Sequence, residues 1–222
     1  MTQGISDSIS RWDNLLSLHV EGSITAEALH DVARIPSLQS LRLARYQSRS
    51  GSKLRPPVIG EANGTSMFSA LRRLTLDGME LEWSSNLLSA VTDSRLETID
   101  LTFPAQSDST DDWHSFFNNL QPSTATLMTL KVKEYDLVKE DTAHIDAAIF
   151  QPLLSLQNLA HIEIHPARHT DIDDDLLKRH PKPGPTFGIL TWYMKAFMTE
   201  HLTGPPFSAC YCWLTAAPTC AT

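Results

Sequence analysis

One apolar pattern occurs six times along the chain and constrains the fold more than any other feature. Each copy has a Leu, two variable positions, a Leu or Ile, one variable position and a third aliphatic residue. In an extended strand the last two aliphatic side chains point to one side and the residue between them to the other. One such strand cannot bury its apolar side alone, but stacked copies share a continuous core. The copies span 15–20, 38–43, 71–76, 96–101, 127–132 and 159–164.

The spacing of these copies indicates how they are connected. Successive copies start 23 to 33 residues apart, with helical signals between them. This spacing overlaps the upper end of the period of roughly 20–29 residues that leucine-rich repeats show. We therefore predict an α/β fold, an irregular leucine-rich-repeat solenoid with an arc of parallel strands inside and helices outside. The alternative is a set of unrelated buried strands in an ordinary α/β domain, which would show similar alternation.

The segments between the copies carry helix signals. Thr25 is the predicted N-cap of the first helix, since its hydroxyl can accept a hydrogen bond from the first helical turn. Residues 141–156 form another predicted helix, ended near Pro152. One further set of apolar residues follows helical spacing and is predicted to be core rather than a ligand site. Its members are Trp113, Phe116, Phe117 and Leu120.

The repeat pattern ends before the last forty residues. We assign residues 1–181 to the repeat arc, with about six repeats, and 182–222 to a C-terminal extension. The Pro-rich run 181–185 stops regular structure. Beyond it, 186–201 follows helical spacing and is a predicted capping helix, and an irregular tail follows.

Composition and charge narrow the classes of partner and compartment. The net charge of −8 with no basic block argues against nucleic acid. No run reaches the roughly 20 apolar residues that span a bilayer, and 1–11 lacks a secretory signal pattern. The three cysteines, an odd number, lie within 210–220 and do not form a disulfide framework. We expect a cytoplasmic or nuclear protein that binds neither nucleic acid nor membrane.

Three runs of sequence resemble a known family. Residues 22–29, 35–43 and 153–164 resemble the leucine-rich repeats of fungal F-box-like proteins. The resemblance covers roughly residues 12 to 180. It implies the substrate-recognition part of a ubiquitin-ligase adaptor, in which the repeats select the substrate and an F-box docks on the ligase scaffold.

The sequence departs from this family in two ways. The fourteen residues ahead of Leu15 are too few for an F-box, so a ubiquitin-ligase scaffold is an expected partner only if a longer form carries one. The Asn or Cys typical of the position three residues after the last aliphatic residue is missing as well. This predicts irregular turns. The residues at that position are Ser23, Tyr46, Met79, Pro104, Tyr135 and Ala167.

No pattern of reactive residues predicts catalysis. His161, His165 and His169 recur every four residues ahead of an Asp-rich run, a composition that could ligate a metal. Because Pro166 breaks any helix there, this spacing does not place the histidines on one helical face, and we predict no metal site. The chain has no nucleophile elbow, phosphate-binding Gly loop or dinucleotide fingerprint. We therefore expect a non-enzymatic protein without a cofactor.

The variable positions of the strands form the candidate site. In the repeat arrangement they face the concave side of the arc, as a polar set with mixed charge. Such a surface suits recognition of a protein partner. The alternatives are ordinary exposed strand residues without a partner, a free-standing repeat scaffold without a ubiquitin connection, and a small α/β hydrolase or transferase. The predicted protein-binding residues are His19, Arg42, Arg73, Thr75, Asp100, Lys131, His161 and Glu163.

Overall fold

The computed structural model describes most of the chain up to residue 171 and two short segments beyond it. Ten strands occur in the described residues: β1 (Ser17–Glu21), β2 (Ser40–Ala44), β3 (Arg73–Asp77), β4 (Thr98–Pro104), β5 (Thr129–Tyr135), β6 (His144–Asp146), β7 (His161–His165), β8 (His169–Asp171), β9 (Ile189–Trp192) and β10 (Trp213–Leu214). The described ranges are 12–45, 67–91, 94–104, 110–123, 125–135, 144–166, 169–171, 189–192 and 213–214.

The strands form an open, mainly parallel sheet in chain order. Within the described residues the sheet has the order β1-β2-β3-β4-β5-β7-β9-β10, and β6 pairs separately with β8. The strands β1 to β5, β7 and β9 pair in parallel, whereas β10 is antiparallel to β9. The protein is therefore an α/β protein with a parallel sheet, as the alternation of strand and helix signals predicts.

The six apolar copies lie side by side in one register. The second aliphatic position of each copy pairs with the same position of the next, and the third position does likewise. A slip of one residue would turn every buried side chain to the solvent, so the buried face fixes this register. The first row is Leu18, Leu41, Leu74, Ile99, Leu130 and Ile162, and the second is Val20, Leu43, Leu76, Leu101, Val132 and Ile164.

Helices cover the apolar face of the sheet. Three α-helices, α1 (Ala26–Ala33), α2 (Leu81–Ala90) and α3 (Thr110–Asn118), and two 3₁₀ helices, Gln121–Ser123 and Ala147–Ser155, occur in the described residues. Helix α3 packs between α2 and the longer 3₁₀ helix. The predicted aromatic core residues are buried there, with Phe116 and Phe117 at 0% exposure. Their assignment to the core is confirmed.

The structure confirms the predicted cap of α1. The Thr25 hydroxyl accepts a hydrogen bond of 3.2 Å from the Ala28 amide, and Leu29 and Val32 are buried below it. We expect Thr25→Ala to lower the free energy of unfolding by about 1 kcal/mol, since an unsatisfied helical N–H remains. Urea unfolding followed by circular dichroism measures this. The exposed Ser23, changed to Ala, is the matched control, and an equal loss in both variants would contradict the capping role.

Two predicted helices differ from the observed structure. Within 141–156 the described residues form β6 and then a 3₁₀ helix, where the Asp146 carboxylate accepts a hydrogen bond from the Ala148 amide. Pro152 lies inside this segment, and its ring would collide with the carbonyl four residues earlier in an α-helix, which disfavours the α form.

The predicted capping helix 186–201 is wrong for Ile189–Trp192, which form β9. These residues favour strands, and they pair with an edge of β7 whose backbone groups need partners. The rest of that segment lies outside the described residues. Together β9 and β10 continue the sheet into the C-terminal extension.

Candidate functional site

The side chains that alternate with the buried ones form one polar face of the sheet, here called the polar face. The register aligns them in three rows that run across the strands from β1 to β7. The first row is Ser17, Ser40, Arg73, Thr98, Thr129 and His161. The middle row is His19, Arg42, Thr75, Asp100, Lys131 and Glu163, and the third is Glu21, Ala44, Asp77, Thr102, Lys133 and His165.

All eight residues predicted for the site lie on this face. Arg73 and His161 belong to the first row, and the other six form the complete middle row. The third row was not predicted, because the apolar pattern ends at the last aliphatic residue of each copy. Continuing the same alternation for one further position would have found Asp77, Lys133 and His165.

Ion pairs near β1 to β3 are open to solvent. His19 Nε2 lies 3.6 Å from Glu21 Oε1, and Arg42 Nη2 lies 3.6 Å from Asp77 Oδ2. The side chains of all four residues are roughly half exposed. Exposed pairs of this kind contribute little to stability, so these groups can exchange partners at small cost.

A tighter group of charges lies across β5 and β7. We call Glu163, Lys131, Lys133, His161 and His165 the Glu163 cluster. Glu163 Oε1 lies 3.0 Å from Lys133 Nζ and 3.0 Å from His165 Nε2. Its other oxygen, Oε2, lies 3.3 Å from Lys131 Nζ and 3.6 Å from His161 Nε2. One carboxylate thus faces four nitrogen groups, and its side chain is only 13% exposed.

The surroundings of Glu163 keep it ionised. Burial by itself raises the pKa of Glu163, but the hydrogen bonds and charges of Lys133 and Lys131 outweigh that effect and lower it from 4.5 to about 2. Burial also lowers the pKa of His165, against the opposing attraction of Glu163, and Lys133 lowers it further. At neutral pH the cluster therefore contains an ionised carboxylate, two ammonium groups and a neutral His165.

This pKa shift predicts a pH-dependent contribution to stability. A carboxylate with a lowered folded-state pKa stabilises the fold fully above about 4.5, and that stability is lost as the pH falls towards 2. After allowance for solvent screening, we expect Glu163→Gln to lower the free energy of unfolding by about 1–2 kcal/mol at neutral pH. Urea unfolding of both proteins at pH 7 and pH 3 measures the difference, which should shrink to less than half at pH 3.

Glu97→Gln is the matched control for this measurement. Glu97 pairs with Arg72 at 2.9 Å, and the arginine side chain is more than half exposed. Because this pair is exposed, we expect Glu97→Gln to lower the free energy of unfolding at neutral pH by less than about 1 kcal/mol. A Glu163→Gln difference that is the same at both pH values would contradict the assigned pKa shift.

One nitrogen in the cluster is unsatisfied. His161 Nε2 is buried and has no hydrogen-bond partner among the described residues, because its nearest acceptor, Glu163 Oε2, is 3.6 Å away. A buried polar atom without a partner costs free energy. The His161 side chain therefore contributes an uncompensated cost to the cluster.

The polar face also includes an aromatic residue that the apolar pattern does not predict. Tyr135 ends β5, two residues after Lys133, and is partly exposed. Burial and the charge of Asp77 raise its pKa, so its hydroxyl stays protonated at neutral pH. Tyrosine at this position offers an apolar ring and a hydrogen-bonding hydroxyl, a combination that is common in protein interfaces.

One small depression lies on the described part of the chain. A depression after β1 to β3, lined by Gly22, Arg45 and Trp83 among others, has room for about one water molecule. No group of three or more His, Cys, Asp or Glu in the described part of the chain is arranged to hold a metal ion. The side chains of His169 and residues 171–175 lie outside the described set.

Comparisons with protein-family models, with curated proteins and with solved structures gave no match. Among the helices that the structure describes, none has the length and apolar character needed to cross a membrane.

Proposed function

We propose that this protein is a non-enzymatic protein-interaction module built as an irregular leucine-rich-repeat arc, and that its polar face binds a protein partner. By the resemblance of its repeats, it would select substrates for an F-box-like ubiquitin-ligase adaptor in the cytoplasm or nucleus. Contact with the ligase scaffold itself would require an F-box in a longer form.

The observation that carries this proposal is the common register of the six strands. Because each copy pairs with the next at equivalent positions, the polar side chains form continuous rows instead of scattered points. Parallel strands added in chain order are what stacking of repeat units produces. A rigid sheet that presents mixed charges in fixed positions suits selective recognition of a protein surface.

The charges of the polar face support a protein partner over other classes. Its described rows contain four basic residues and four acidic ones, in a chain whose net charge is −8. Nucleic acid would require an excess of positive charge, which this balance does not provide. The basic residues are Arg42, Arg73, Lys131 and Lys133, and the acidic ones are Glu21, Asp77, Asp100 and Glu163.

Charge reversal on the face tests this proposal. The double variant Arg42→Glu/Lys131→Glu changes two residues of the middle row. We expect that the variant no longer captures from cell extract the proteins that the wild type captures. Calorimetry with each purified candidate partner should show an affinity at least 10-fold weaker. Such a loss follows from placing like charges opposite those of the partner.

The matched control changes two basic residues away from the face. Arg34 follows α1 and Arg95 precedes β4, and both side chains are exposed. The variant Arg34→Glu/Arg95→Glu has the same net charge as the face variant and should retain the same partners. Circular dichroism verifies that both variants are folded. Partners that bind both variants as they bind the wild type would refute a binding role for the polar face.

A further inference from the structure

We propose that the Glu163 cluster is a docking site for an extended, acidic segment of the partner protein, with carboxylate side chains at alternate positions. This inference rests on the proposed function and specifies the chemistry of the partner. Its basis is an excess of hydrogen-bond donors in the cluster, together with the spacing of the two lysines along β5.

The donors of the cluster outnumber its acceptors. An ammonium group carries three N–H donors, and the ion pairs with Glu163 direct one contact from each lysine to that carboxylate. The side chains of Lys131 and Lys133 are 36% and 43% exposed, so a partner can reach their remaining donors. Additional carboxylate oxygens would satisfy these lysine donors.

The geometry of the cluster selects an extended ligand. Lys131 and Lys133 point to the same side of β5 and lie two residues apart, a spacing of roughly 7 Å along a strand. An extended peptide repeats its side chains on one side at the same interval. Carboxylates at alternate positions of the partner would therefore meet both lysines at once. Glu163 lies opposite Lys131 in the register and holds both lysines in place for this contact.

The charges around His165 give this contact a pH dependence. In the register Lys131 and Lys133 of β5 lie opposite Glu163 and His165 of β7, and Asp100 of β4 lies opposite Lys131. The described residues of β9, Ile189–Trp192, contain no titratable group. The charges of the two lysines and the two carboxylates sum to zero, and protonation of His165 adds one positive charge. An acidic segment therefore gains attraction as the pH falls through the histidine range.

Peptide binding to the full chain tests the proposal. The probe is a fluorescein-labelled decapeptide of alternating Glu and Thr, compared with one in which Gln replaces Glu, and anisotropy reports binding. Lowering the pH from 7.5 to 5.5 should tighten binding of the Glu peptide about 10-fold, since free glutamate stays largely ionised there. His165→Gln should remove most of that gain. The Gln peptide should not bind measurably at either pH.

Paired variants locate the contact. Lys131→Gln/Lys133→Gln should weaken binding of the Glu peptide at least 10-fold, whereas Arg34→Gln/Arg95→Gln, with the same net charge, should change it less than twofold. Lys131→Arg/Lys133→Arg keeps both charges and should retain binding, which separates loss of the site from loss of folding. Equal weakening by the two Gln variants would overturn the proposal, because the attraction would then be general to the protein's charge.

Three further outcomes are distinguishable. If the Glu peptide does not bind at pH 5.5, but partner capture still depends on Arg42 and Lys131, the docking site is refuted and the proposed function stands. If capture is also indifferent to the polar face, both fail. If a peptide with phosphoserine in place of Glu binds and the Glu peptide does not, the cluster recognises phosphate, and the carboxylate proposal is overturned.

Discussion

Replacing Phe117 with Ala should lower the free energy of unfolding by about 4 kcal/mol, one of the largest effects expected from a single change. Phe117 is 0% exposed, and its ring centroid lies 5.7 Å from that of Trp113, 5.4 Å from Phe116 and 5.5 Å from Phe150. It thus joins residues of α3 to the longer 3₁₀ helix, Ala147–Ser155. Removing the ring leaves a cavity in this aromatic group, which cannot collapse without moving both elements.

Guanidinium unfolding, monitored by tryptophan fluorescence and circular dichroism, measures this loss. The matched control is Met128→Ala, since Met128 is large and apolar but 46% exposed. We expect Met128→Ala to lower the free energy of unfolding by less than about 1 kcal/mol, because folding removes little of the Met128 side chain from water. Comparable losses in the two variants would show that the aromatic group does not form a packed core.

Replacing Gly78 with Ala should be similarly damaging, at about 3 kcal/mol, because two penalties combine. Gly78 follows β3 and has a φ of +73°, in the left-handed region that side chains disfavour. A Cβ there would also collide with the backbone carbonyl oxygen of Arg45. That backbone is fixed by its own hydrogen bond, of 2.8 Å, from the Arg45 amide to the Asp77 carbonyl.

The chain contains a control for this substitution in an equivalent position. Gly22 follows β1 as Gly78 follows β3, and the amides of the two glycines donate to Ala44 and Thr102 on the neighbouring strands. Gly22 has a φ of +108°, but a Cβ there meets nothing within 4 Å. Gly22→Ala should therefore lower the free energy of unfolding by about 1 kcal/mol, because only the penalty of the left-handed backbone conformation applies. Thermal unfolding of both variants measures the difference, and equal losses would contradict a close approach at Arg45.

Local sequence patterns predict much of the fold. The apolar copies predict the parallel strands for two reasons. Aliphatic residues two positions apart form the buried side of a strand, and the long interval between copies leaves room for a helix that connects them. The contact of the Thr25 side chain lies within α1, so the sequence alone locates that cap. The aromatic spacing from Trp113 to Leu120 likewise belongs to one local segment, so the sequence alone identifies its core residues. The six residues of the middle row follow from the same alternation.

Features that depend on contacts between elements were not predictable in this way. β4 and β5 continue to Pro104 and Tyr135, at positions where the repeat pattern predicts a turn, because each gives the other a hydrogen-bonding partner. β9 depends on the edge offered by β7. The Glu163 cluster joins Lys131 and Lys133 of β5 to three residues of β7. Only the register between these strands shows that one carboxylate faces four nitrogen groups.

The pairing of successive strands in chain order also explains how the copies tolerate unequal spacing. Bringing each strand against the one before it closes one short loop, and the entropy lost in closing a flexible loop rises only by about 0.6 kcal/mol for each doubling of its length. An interval of 33 residues instead of 23 therefore adds a fraction of that amount to a single closure. Insertions or deletions between strands can accumulate in such a chain, while the aligned rows that would contact a partner keep their positions.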